Sequence, residues 1–122
     1  VTPEDVPNVE LVLLTHSHRD TVGGAGRFVK AGVPVRASKE SAKWLTPANV
    51  AKFWKESIPL RTSDTGYFVH PTGIDGIDCS LADGQTVEWQ GLKVEVIGTP
   101  GHSPDHLAFA VNGVAFVGDA VT

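Results

Sequence analysis

Methionine is absent from the 122 residues, and cysteine occurs once, as Cys79. A lone thiol excludes an internal disulfide, and without a Cys pair there is neither a zinc ribbon nor a redox dithiol; the compartment stays open, leaning to the cytoplasm. A chain with no Met even at position 1 is expected to begin downstream of its natural start, so the lack of a leader says little about targeting. Long apolar runs are missing as well. Val9 to Leu14 and Leu107 to Val117 are too short or too interrupted to span a bilayer, and no membrane association is expected. Aromatic residues make up 7% and are not interleaved with basic ones, and the net charge is −4, so no nucleic-acid partner is expected. What remains suffices for one domain with a real core, since 41% of the residues are hydrophobic.

The charge is unevenly spread. Residues 19 to 55 hold eight of the ten Lys and Arg and carry +6, whereas residues 1 to 18 carry −3 and 56 to 122 carry −7. Such a segment attracts an anionic substrate or simply forms solvated helix faces, and the second reading is favoured. A small-molecule substrate with some anionic character is the expected partner; the oligomeric state is left open.

Val9 to Leu14 reads as a short buried strand ending at polar residues. Val22, Ala25, Phe28 and Val29 recur at helical spacing, which predicts a helix from Asp20 or Thr21 to Gly32. Gly23, Gly24 and Gly26 fall early in it, each costing about 1 kcal/mol relative to Ala, so close backbone approach or a delayed helix is expected there. Val33 to Ala37 is a second strand, and Ser38 caps a helix running through Leu45. Thr46 and Pro47 open another, with Val50, Phe53 and Trp54 on its inner face. Ser57 to Ser80 reads as a long loop in which only Tyr67 to Val69 looks strand-like, with His70 a surface loop residue. Two hairpins follow: Thr86 to Trp89 and Leu92 to Ile97 flank Gln90-Gly91, and His106 to Val111 and Val114 to Val117 flank Asn112-Gly113. The whole is a mixed α/β pattern with helices on the outer faces of sheets.

His16 and His18 stand at i and i+2 after the first strand, where extended backbone points both imidazoles the same way. Five histidines in a chain this long give about 0.2 such pairs by chance, so the spacing alone is only suggestive. The last hairpin adds to it. A two-residue turn at Asn112-Gly113 sets Val111 opposite Val114, Phe109 opposite Phe116 and His106 opposite Asp119. The loop "TPGHSPDH" that enters this hairpin and the "GDA" that leaves it should therefore share one sheet end, bringing His102 towards Asp119. Three histidines (His16, His18, His102) with Asp20 and Asp119 at strand ends suit a catalytic zinc, which needs three protein ligands and an open position.

"THSHRD", "TPGHS" and "GDA", in this order, resemble the metal-binding motifs of the metallo-β-lactamase superfamily, which includes glyoxalase II, lactonases, nucleases and the lactamases. The resemblance implies an αββα sandwich, here a single partial domain over residues 1–122 that is incomplete at both termini. It implies that His16, His18 and His102 hold a first metal, that Asp20 serves a second, and that Asp119 bridges both, with zinc as one or two ions and iron or manganese as the other candidates. Two departures bear on the second site: Thr21 stands where the family has a histidine, and a further family histidine beyond the bridging aspartate has no counterpart before Thr122. A hydroxyl is a much poorer zinc ligand than imidazole. The first site is thus expected to survive better than the second.

The function implied is a hydrolase acting on an ester, thioester, lactone or related bond through a metal-activated hydroxide, with Asp20 the catalytic group that orients the water or takes its proton. The alternative is a degenerate metal-binding or regulatory domain that keeps the fold without a complete dinuclear centre; an iron-dependent electron-transfer module is a third, without a partner domain to support it. His106 is expected to pack at the strand start, with a hydrogen bond to Asp119 or a substrate as the other reading. Ser17 and Ser103 have no base at recognisable spacing, so a serine nucleophile is not expected.

Overall fold

The computed structural model describes residues 2–57, 69–101 and 103–119. Three parallel strands form the first sheet, in the order β1 (Val12–Leu13), β2 (Val35–Ser38), β3 (Asp78–Leu81). Four antiparallel strands form the second, β4 (Thr86–Trp89), β5 (Leu92–Gly98), β6 (Leu107–Val111) and β7 (Val114–Phe116), in sequence order. Between β1 and β2 run α1 (Arg19–Val22) and α2 (Ala25–Lys30); after β2 come α3 (Ala42–Leu45) and α4 (Pro47–Ser57).

The first sheet is covered on both faces, as parallel sheets must be. Leu14 joins Val22, Ala25, Phe28, Val35, Ala37, Leu45 and Ile74 in a cluster beneath the helices, with Val12 against it. Leu11 and Leu13 pack instead on Leu81, Val87, Val94, Val96, Leu107 and Phe109. Period-two alternation along one short stretch thus sends neighbouring side chains into two cores. Among the described residues the layers run helix, sheet, sheet, which is three of the four layers of the expected αββα sandwich.

Several expectations change in detail. The helix over 20–32 is two short helices, broken at Gly23-Gly24. The apolar period survives the break, because Val22, Ala25 and Phe28 are all buried. Gly32 ends α2 at φ +81, with Val33 N–H donating to Phe28 O and Gly32 N–H to Val29 O, the paired bonds of a Schellman stop. Ser38 belongs to β2, and its hydroxyl accepts the Ser41 N–H at 3.1 Å, so it caps the turn that leads into α3 rather than α3 itself. The loop over 57–80 is corrected by β3, which pairs with β2. Its half-exposed Asp78-Cys79-Ser80 carries no apolar pattern, and only Leu81 is fully buried. The strand expected at Tyr67 to Val69 falls mostly outside the described residues. Both hairpins form as expected. Asn112 and Gly113 take φ +50 and +79, and the register pairs Val111 with Val114 and Phe109 with Phe116. Among the described residues no helix is long and apolar enough to cross a membrane.

Candidate metal centre

One backbone bond joins the two sheets where the histidines lie: Leu107 N–H, opening β6, donates to Thr15 O at 2.7 Å, just past β1. It sets the His16 ring against that of His106, with centroids 4.7 Å apart and planes at 28°, while His18 meets His16 edge-on, also at 4.7 Å. His16 is 1% exposed. Its Nε2 lies 3.3 Å from Asp119 Oδ2 and 3.3 Å from Thr21 Oγ1, and its Nδ1 lies 2.9 Å from Thr15 Oγ1.

Burial above all, then the neighbouring His18 and His106, pushes the His16 pKa from 6.5 down to about 4; Asp119 and Asp105 only partly oppose this. At neutral pH the imidazole is therefore uncharged, and its contact with Asp119 is not an ion pair. In the tautomer protonated at Nδ1, Thr15 accepts that proton and Nε2 turns a lone pair towards Asp119 and Thr21. That is the arrangement by which a metal-ligating histidine is held through its other nitrogen.

His106 does more than pack. Fully buried, it accepts the Asp119 N–H at Nε2 (3.2 Å), which leaves Nδ1 to donate to Thr99 Oγ1 at 2.7 Å. The imidazole thus ties the exit of the last hairpin to its entrance, and the expected juxtaposition of His106 and Asp119 is realised through the backbone amide.

His16, His18 and Asp119 are brought together. Asp20 is exposed in the first turn of α1 and lines a cavity with Thr21, Gly24 and Phe28; among the described residues no hydrogen bond or ion pair joins it to a histidine. His102 lies outside the described residues, and among those described no three His, Cys, Asp or Glu groups are spaced to hold a metal ion by themselves. The donors that are present suit such an ion: a neutral buried imidazole with its second nitrogen anchored, a second imidazole beside it, and a half-exposed carboxylate.

Sequence reasoning passed over Asp105. It is 2% exposed, yet its Oδ2 accepts from Ser41 Oγ at 2.8 Å, and its backbone carbonyl accepts from Ser38 Oγ at 3.1 Å. Burial alone raises its pKa, but the hydroxyls of Ser103, Ser17 and Ser41 together with its own amide outweigh this and hold it below the usual carboxylate range. Its only signal in the sequence was an aspartate between two histidines. With Ser17, His18, Trp44, Val69, Ser103 and Pro104 it lines a cavity of about 140 Å³. His70 is half-buried rather than a plain surface residue; burial and then Arg19 lower its pKa, and its carbonyl accepts from Trp54 Nε1. Of the basic segment, every Lys and Arg but the half-buried Arg36 is exposed, as solvated helix and turn faces would be.

The family model of the metallo-β-lactamase superfamily matches residues 3–122. The chain belongs to the metallo-β-lactamase superfamily. Within it, the chain is 31% identical over 123 residues to the hydroxyacylglutathione hydrolase GloC of Haemophilus influenzae, covering 93% of this chain and 50% of that protein. To a hydroxyacylglutathione hydrolase of Aeromonas hydrophila it is 44% identical over 117 residues, covering 93% of this chain and 34% of the relative. The crystal structure of a superfamily protein from Thermus thermophilus superposes with a TM-score of 0.67 at 31% identity, covering 94% of this chain and 42% of that one. The chain thus spans between a third and a half of the length of the superfamily relatives it matches.

Proposed function

We propose that this chain is the first-metal part of a metal-dependent hydrolase acting on an ester, thioester or lactone, with a thioester favoured because the two relatives described above are hydroxyacylglutathione hydrolases. The observation that carries the reading is His16: buried, neutral at physiological pH, and gathered with His18 and Asp119 where the two sheets are joined. In this reading His16, His18 and His102 would hold a first ion, and Asp119, beside His16, would be a further ligand. A divalent ion such as zinc, when bound, brings the pKa of water down to about 7 and so supplies a nucleophile at neutral pH. His106 keeps the backbone of Asp119 in place, Thr15 holds Nδ1 of His16, and Asp20 is the carboxylate assigned to orient water or take its proton.

Elemental analysis of the purified chain and of His102→Ala tests this. Stoichiometric metal in the wild type, lost in the variant, is expected; no metal in either sinks the proposal.

A second reading has an observation of its own. Thr21 presents its hydroxyl to His16 Nε2 at 3.3 Å, where an imidazole would be a far better ligand. A centre confined to one ion, or a domain that retains metal without catalysis, follows from that substitution. Thr21→His is expected to raise metal content from about one ion towards two; unchanged stoichiometry would mean that residue 21 is not what limits the second site.

A further inference from the structure

Apart from its own segment, Asp105 is bonded to one part of the chain that supplies no metal ligand and acts on another that supplies two. Its Oδ2 and carbonyl hold Ser41 and Ser38, in the turn between β2 and α3, and Ser38 Oγ and Ser41 Oγ are themselves 3.0 Å apart. The Ser17 hydroxyl, between His16 and His18, helps hold its charge, as does Ser103, whose neighbour in sequence is His102. The adjacent residue, His106, stacks on His16 and accepts the Asp119 amide. The network is anchored but not closed: Asp105 Oδ1 and Ser103 Oγ are buried and lack a well-formed hydrogen bond among the described residues. A buried carboxylate is costly unless something nearby repays it. The hydroxyls offset that cost in the metal-free chain, and a cation held by the adjacent imidazoles would place an opposite charge near the carboxylate as well.

We propose that Asp105 is a positioning residue for the metal-ligand set, its buried carboxylate clamping the 103–106 segment to the β2–α3 turn and favouring a cation beside His16 and His18. This rests on the metal-centre reading above. The β2–α3 turn thereby becomes part of the support of the centre although it contributes no ligand, and outer partners of this kind are typically worth 10- to 100-fold in metal affinity.

The test is zinc affinity of the 122-residue chain by competition with a chromophoric chelator, alongside thermal unfolding of each metal-free protein. Asp105→Asn keeps an acceptor for Ser41 and removes the charge, so its zinc affinity is expected to fall about tenfold, while the metal-free unfolding reads separately the stability that the charge itself contributes. Ser41→Ala keeps the charge and removes one bond, with a smaller, severalfold loss. If Asp105→Asn does not fold, Ser41→Ala decides: a severalfold loss supports the clamp and unchanged affinity overturns it. Zinc bound within twofold of wild type by both variants overturns the positioning role while leaving the metal centre standing. Zinc bound by none of the proteins, wild type included, overturns the metal-centre reading and this role with it.

Discussion

Acidifying the metal-free chain from pH 7 to pH 4 is expected to cost it on the order of 3 kcal/mol through His16 alone. The folded-state pKa of this imidazole is depressed from 6.5 to about 4, chiefly by burial. Between those values the unfolded chain binds a proton that the folded chain refuses, so stability falls as pH falls through the window and levels off below it. Asp105 acts in a different range. Its carboxyl is held below the ordinary carboxylate value, so its contribution is present above that value and is lost only in stronger acid. His70, lowered by burial and by Arg19, adds to the slope with the same sign. Comparison with His16→Gln isolates the first effect, because His70 titrates in both proteins. Urea unfolding of chelator-treated wild type and His16→Gln at pH 7, 5.5 and 4 measures it. The wild type should lose markedly more stability than the variant, and parallel pH profiles would show that His16 is not held uncharged by the fold.

The same ring shows how far a sequence can be read. That His16 and His18 follow a strand, and that the last hairpin folds back with His106 towards Asp119, are consequences of short-range rules. An Asn-Gly turn leaves little choice of register, and the alternation along Leu11 to Leu14 leaves little choice of face. What escaped depends on partners remote in sequence or on backbone rather than pattern. Strand β3 exists because β2 offers it hydrogen bonds, and nothing in Asp-Cys-Ser-Leu advertises it. The break between α1 and α2 escaped for the opposite reason: the apolar period continues across Gly23-Gly24, so burial is as expected even though the helix is not continuous. Asp105 finds Ser41 across 64 residues of chain and Ser38 across 67, so its burial could not be read from "SPDH". Thr21 was legible as a departure from the family pattern; that its hydroxyl meets the one nitrogen of His16 left facing Asp119 was not.

Gly118→Ala is expected to cost about 3 kcal/mol and to disturb the metal centre with it. Gly118 sits at φ +50, where an L-residue already loses roughly 1 to 2 kcal/mol. A Cβ there would also stand 2.9 Å from His106 Nε2 and 2.9 Å from Thr15 Oγ1. Neither atom can yield cheaply. His106 Nε2 accepts the Asp119 amide, and Thr15 Oγ1 is the partner of His16 Nδ1, so making room breaks one anchor or the other. Each lost bond within a buried site adds about 1 kcal/mol. Gly113→Ala is the matched control, since Gly113 has φ +79 and nothing within 4 Å of its Cβ position, leaving only the backbone cost. Unfolding free energies of the two metal-free variants should therefore differ by more than about 1 kcal/mol, with zinc affinity falling for Gly118→Ala and unchanged for Gly113→Ala. Equal losses in stability would mean that the backbone conformation alone selects glycine at 118. Full zinc affinity in Gly118→Ala would mean that the close approach of Gly118 to Thr15 and His106 has no part in holding the ligands.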